Sequence, residues 1–555
     1  MNLSKKSSLL IIFSLGFLLS SCSSSNIGSG GDDVCHEPIE PPLDEPIDET
    51  GDVYFFDSES TDGDGTKEKP YSNLSKINDI SFKPGTKIFL KKNSVFKEKF
   101  SLKNLNGEKE NPIIFTSYGD KGAKPKIVGK EALDKGIVYI SNCSNILFQN
   151  IEIYSEIKEE SAAKGILVEL SNEESTEEVK TYHNITLKNL YIHDIYGFSD
   201  KENQGMAMKS KLTGGIHLWS SDGNAKIDGF NVLNSKIENV TNVGIATWYK
   251  VVGTRVSKIS PYDDDFEKYA HTNVTISNNE ISYIGKNAAF LRNIKGGKFD
   301  HNVVHDTTII CNAGNQIVTS YVDDIVVEYN EGYNNKASLR ADGKVQDGAM
   351  LDSDLQTKNV IFQYNYSHNN SFGLYISCDG TSKNDKGASD NVILRYNVSI
   401  NDYGNKGIIY ANYYSGKIEC YNNTIITDKA TKNIIEINND RTLSFYNNIV
   451  FSRSKDASFT LGNMTNFSVS NNIIHGISAI KNVDEMGIYL DVDLRPLKKT
   501  PDDVESLIGF GKIKDYATFT YDSVYDEKNC KNMNVNIPDI LGNDYKLSFG
   551  AINKF

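Results

Sequence analysis

Hydrophobic positions in this chain fall into short alternating runs punctuated by Gly and Asn, with no sustained helical period. Alternation at period two predicts β-strands that bury one face. Six runs align on a leading small residue: Gly215 to Ser221, Gly244 to Lys250, Ala288 to Ile294, Gly348 to Asp354, Gly373 to Asp379 and Gly407 to Tyr413. Their second and fourth positions are expected inside, among them Ile216, Leu218, Ile245, Thr247, Leu351 and Ile376.

A second pattern overlies the first. Asn returns as Asn150, Asn189, Asn234, Asn279, Asn302, Asn330, Asn365, Asn397, Asn423, Asn448 and Asn472, at intervals of 39, 45, 45, 23, 28, 35, 32, 26, 25 and 24 residues. The shortest intervals set the period, and the longer ones carry loops. A period in the low twenties with short strands is the mark of a β-solenoid, in which stacked coils build a core that no coil could bury alone. Identical Asn side chains at one turn are expected to hydrogen-bond along the stack. The fixed Leu framework of leucine-rich repeats and the blade motifs of propellers are missing.

On these residues the chain resembles the right-handed parallel β-helix enzymes that degrade polysaccharides. The entry segment, Asp62 to Thr66 followed by Pro70 to Leu74, Lys83 to Ile88 and Pro112 to Phe115, is similar to the start of such enzymes, and Gly542 to Ile552 is similar to their end. The resemblance implies an all-β, single-domain right-handed parallel β-helix over residues 53–555, with a short N-terminal capping helix within Tyr71 to Ile80.

Before that domain, Lys5 and Lys6 precede an apolar stretch from Leu9 to Leu19, then Leu19-Ser20-Ser21-Cys22. This reads as a cleaved signal over residues 1–21, and it resembles a bacterial lipobox, which implies lipidation of Cys22. Residues 22–52 are rich in Ser, Asp, Glu and Pro and form a tether. Expected localisation is the bacterial outer membrane, at the cell surface or facing the periplasm, with the lipid as sole membrane contact. No later apolar run approaches the roughly 20 residues of a membrane-spanning helix. The other cysteines show no CxxC spacing and are expected to be buried small residues rather than metal ligands.

Composition adds one exclusion. With 59 basic and 73 acidic side chains the formal net charge is −14. That balance argues against a sequence-independent nucleic-acid binder. A monomer acting on a polysaccharide is expected.

The chemistry is expected on the outward positions of the aligned strands: His217, Trp219, Trp248, Lys250, Arg292, Asp352, Asp354, Tyr375 and Asp379. Asn312 joins them if Thr308 to Asn312 is a strand. Adjacent coils lie about 4.8 Å apart, so these side chains would form one patch. Trp219, Trp248 and Tyr375 suit sugar rings. Loops at Ser199 to Lys211, Val251 to His271, Ala337 to Gln346 and Thr381 to Ser389 would wall a groove.

Crowded carboxylates split their pKa values, which gives an acid beside a base. The first reading is therefore glycoside hydrolysis, with Asp354 as acid and Asp352 or Asp379 as its partner. The aspartate cluster is similar to that of polygalacturonase-type hydrolases, without their surrounding motif. A second reading is a polysaccharide lyase acting on uronate, with the aspartates holding Ca²⁺ and Lys250 or Arg292 as base. The motifs of chondroitinase-B and alginate-lyase type enzymes are not found. A third is a glycan-binding surface protein without catalysis. Either cation would suit an anionic substrate. His193, His305 and His368 follow their ladder Asn closely and are expected to be structural, and Asp347 either assists the cluster or closes a turn.

Overall fold

The computed structural model describes residues 47–489 except 62, 132–133, 173, 175–177, 200–211, 250, 253–254, 257–259, 312, 337–346, 378–388, 404–406, 412–415, 428–432, 438–441, 453–456, 462–466, 471 and 476–487. Cys22, Lys250, Asn312, Asp379, the C-terminal segment and nearly all of three of the four expected groove walls thus lie outside the described residues, while most of the Val251 to His271 wall is described and holds a short helix at Phe266–Tyr269.

The alternating runs form a parallel β-helix. A representative coil carries three strands, Gly214–Ser220, Ala225–Leu233 and Lys236–Val240. Each pairs in parallel with its counterpart in the next coil, Val243–Trp248, His271–Ser277 and Glu280–Ile284. In two coils the first two strands merge into one continuous strand, Ala289–Asp300 and Ile317–Glu328, bent where Asn293 and Tyr321 take positive φ. Near the start, a 3-10 helix at Leu74–Asp79 buries Leu74 and Ile77, and the Asn73 side chain accepts from Ser75 N at 2.7 Å. It lies inside the span expected to hold the capping helix.

Along the first face the inward column runs Ile166, Ile216, Ile245, Ala289, Ile317, Leu351, Tyr375 and Ile409. All are fully buried. The expected pairing is corrected in three places, one of them the run from Gly407, where Ile409 continues the inward column and Tyr410 points outward. Thr308 to Cys311 bends instead of forming a strand, and the coil's first-face residues begin at Ile317. The run from Gly373 also enters the sheet one position out of the expected alignment: Tyr375 pairs with Leu351 and points into the core, while Ile376 points outward with Ala349, Phe372 and Tyr410. A one-residue slip exchanges the two faces of a strand.

The Asn ladder is present and uninterrupted from Asn279 to Asn472. Each side-chain amide donates to the next Asn Oδ1, at 2.9 Å from Asn279 to Asn302, 3.0 Å from Asn365 to Asn397 and 3.1 Å from Asn448 to Asn472. Asn234 is not a rung. It occupies the preceding turn position with φ +49°, and the rung belongs to Ser235, whose N–H donates to Asn279 Oδ1 at 2.9 Å. Asn suits both positions for different reasons, since it tolerates left-handed backbone and also carries an amide. The left-handed position is filled elsewhere by His301, Tyr329, Tyr364 and Tyr396, stacked ring on ring at 5.0, 5.0 and 5.2 Å. Their stacking offsets the backbone cost that a non-glycine residue meets there.

On the third face His305 and His368 stack on Tyr333 at 4.7 Å, and His193 stacks on Tyr191 at 4.2 Å. These histidines are structural, as expected. Cys143, Cys311 and Cys420 are buried.

Candidate active site

Two columns on the outward side of the first face hold the expected chemistry. One runs His217, Ala246, Phe290, Val318, Asp352 and Ile376. The other brings Trp219 beside Trp248 and Arg292 beside Ser320. The structure thus brings His217, Trp219, Trp248, Arg292, Asp352 and Asp354 to one face and removes Tyr375 from it.

The centre of this face is apolar and covered. Ala246, Trp248, Phe290 and Val318 pack together with Val243, with Trp219 half-buried against them. Trp248 has no exposed surface, and its ring lies on Phe290 at 5.2 Å and 8°. It serves as a wall of the site, which leaves Trp219 as the tryptophan with a partly open edge.

Arg292 is 6% exposed and caged by aromatic rings. Its guanidinium carbon sits 5.3 Å from the Trp248 ring, 5.0 Å from Phe290 and 5.2 Å from Tyr321. Nη2 donates to Ser320 Oγ at 3.1 Å. Burial lowers its pKa, and the charge of Asp354 opposes that shift. A guanidinium held in this way stays protonated and serves as a fixed positive charge, a poor fit to the role of proton-abstracting base.

The aspartates differ in environment. Asp352 is 5% exposed, and its Oδ2 accepts from Asn315 Nδ2 at 2.7 Å. Asn315 Oδ1 in turn accepts from Gly348 N and Ala349 N, both at 2.9 Å. One asparagine from the preceding coil therefore clamps the segment that carries the carboxylates. Asp354 follows the strand Leu351–Ser353, is half-buried, and is fixed by its own N–H to Thr319 O at 2.8 Å. Asp347, at the start of the clamped segment, is half-buried too. Asn315, Ser320 and Tyr321 went unnoticed in the sequence because their strand lacks a leading Gly or Ala in the aligned position.

His217 is 1% exposed and neither ring nitrogen makes a hydrogen bond of good geometry. Burial, reinforced by the Lys164 charge, pushes its pKa down to about 3, so it is neutral at physiological pH. Lys164 donates to Asp134 O at 2.7 Å and Ala162 O at 3.0 Å, and burial brings it down to about 8. Among the described residues no group of three His, Cys, Asp or Glu side chains is placed to hold a metal ion. The Ca²⁺ expectation relied partly on Asp379, outside them.

No family model matches the chain. A lacto-N-biosidase from Bifidobacterium longum subsp. longum is 26% identical over 479 residues, which takes in 72% of this chain and 29% of that protein. The chain therefore spans less than a third of the length of that curated relative. Among solved structures, a GH136 lacto-N-biosidase from Eubacterium ramulus superimposes with a TM-score of 0.51 at 22% identity, covering 66% of this chain and 64% of that one. The shared architecture, together with the parallel coils described above, identifies the chain as a parallel β-helix.

Proposed function

We propose that this protein is a glycoside hydrolase of the lacto-N-biosidase kind, cleaving a glycan at the outward face around Asp354. The observation that carries the reading is the carboxylate-bearing segment Asp347 to Asp354, clamped by Asn315 beside a caged Arg292, in a chain aligned with a lacto-N-biosidase over 479 residues. Hydrolysis needs one carboxyl to protonate the leaving oxygen and a second to act on carbon or water. Asp354 is one of the pair, and it lies close enough to the caged Arg292 for the two charges to interact. Exposure favours Asp347 over Asp352 as the second, because Asp352 is buried and already spends an oxygen on Asn315.

The test is digestion of glycans by single variants. Asp354→Asn and Asp347→Asn are each expected to lose about 10²–10⁴-fold in kcat/KM, while Asp352→Asn lowers stability more than turnover. Full activity in Asp354→Asn refutes the site, and products carrying an unsaturated uronate would replace hydrolysis by a lyase reaction. A glycan bound but left intact would favour the binding protein.

We further propose that the chain is exported, lipidated at Cys22 and held at the outer membrane by that lipid alone. The support is the Leu19 to Cys22 motif and the acidic, proline-rich tether after it. A polysaccharide substrate and a monomeric state belong to the same reading.

A further inference from the structure

The outward column that ends at Asp352 begins far from it. Going backwards, Asp352 pairs with Val318, then Phe290, Ala246, His217, Leu167, Tyr139 and Ser101. At about 4.8 Å per coil, these seven steps place Ser101 roughly 34 Å from the carboxylates on the same face. A cavity of ≈ 570 Å³ opens there. Its size falls within the range of ligand sites.

One wall is apolar, made by Ile80, Phe82 and Leu105, which are only partly covered by the core they pack on. The opposite side is cationic. Lys103 and Lys135 hold their ammonium groups 5.9 and 5.5 Å from the centre of the Tyr139 ring. Lys135 is neutralised by Glu169 at 2.7 Å, and Tyr139 OH donates to the same carboxylate at 2.8 Å. Lys99 and Lys103 are exposed and have no acidic partner among the described residues, in a chain of net charge −14 that pairs many of its other lysines. Between them, Ser101 Oγ is buried without a hydrogen-bond partner.

We propose that this cavity is a second glycan-binding site, for an acidic sugar segment whose carboxylate or sulfate meets Lys99 and Lys103 and whose ring packs on Ile80, Phe82 and Leu105. Unpaired cations beside an apolar wall match an anion with an apolar body, and the orphaned Ser101 hydroxyl supplies a hydrogen bond for a sugar oxygen. The site shares a face with the carboxylates, so a long glycan can be held at both places at once, raising its effective concentration at the reacting end. Binding there does not depend on the chemistry at Asp354.

The experiment is affinity electrophoresis of the whole chain through gels containing polygalacturonate, dextran sulfate or neutral dextran. Retardation is expected with at least one acidic polymer and none with dextran, and the two acidic arms tell a carboxylate site from a sulfate site. Lys99→Ala/Lys103→Ala, with an unchanged circular dichroism spectrum, is expected to weaken retardation at least tenfold, while Asp354→Asn retains it. Failure of both acidic polymers to retard the protein, or undiminished retardation of the double variant, overturns the proposal. Loss of retardation in Asp354→Asn also overturns it, by placing the binding at the carboxylates.

Discussion

Asn397 is the rung on which the role of the ladder can be measured. Its Oδ1 accepts from Asn365 N and Asn365 Nδ2, both at 3.0 Å, and its Nδ2 donates to Phe362 O at 2.9 Å and Asn423 Oδ1 at 3.0 Å. The residue is fully buried. Asn397→Ala leaves Asn365 Nδ2 with its bond to Val327 O, and Asn423 Oδ1 with its bond from the Asn397 peptide. The Asn365 peptide N–H and the side-chain-facing lone pair of Phe362 O lose their partners outright. Two buried groups at about 1–3 kcal/mol each predict a loss of about 2–6 kcal/mol. Asn234→Ala, in the left-handed turn position with no rung to break, is expected to cost only about 1–2 kcal/mol. Equilibrium unfolding in guanidinium chloride, followed by far-ultraviolet circular dichroism, compares the two. The double variant Asn365→Ala/Asn397→Ala should cost less than the sum of its parts, since the second removal finds its partner gone. An Asn234→Ala as damaging as Asn397→Ala, or strict additivity in the pair, refutes the ladder as a source of stability.

Tyr375→Phe removes the contact between Tyr375 OH and Ser353 Oγ inside the core and should cost about 0.5–1.5 kcal/mol in the same unfolding assay. Glycan affinity should stay as it is; a fall in affinity at unchanged stability would put the ring back on the outward face. Asp402 is fully buried, and burial raises its pKa above the ordinary 3.8 despite hydrogen bonds from Ser367 and Ser399. A raised carboxyl stabilises fully below its unfolded value and loses that contribution as pH climbs through the folded value. Measured against Asp402→Asn, the wild type should therefore be relatively most stable in acid and fall behind toward neutral pH; a difference independent of pH would disprove the shift.

Much of this molecule was legible in its sequence because a β-helix repeats its local chemistry. Period-two alternation named the strands, the returning Asn named the stack, and parity along a strand put His217, Trp219, Trp248, Arg292, Asp352 and Asp354 outward. Asp352 kept its face even though its strand sits two residues from the expected alignment, because an even slip preserves parity. Tyr375 slipped by one and went inside. Local sequence could not distinguish Asn234 from Asn279, because a turn that bends the chain and a rung that bonds the next coil both accept Asn; only the register between coils separates them. Nor could it separate Asp352 from Asp354: the same residue type two positions apart is buried by Asn315 from another coil in one case and left half-open beside Arg292 in the other. The sequence by itself determined the period and the faces, which depend on neighbours along the chain. Only the tertiary structure decided register, burial and pairing of charge, because those depend on what the next coil places about 4.8 Å away.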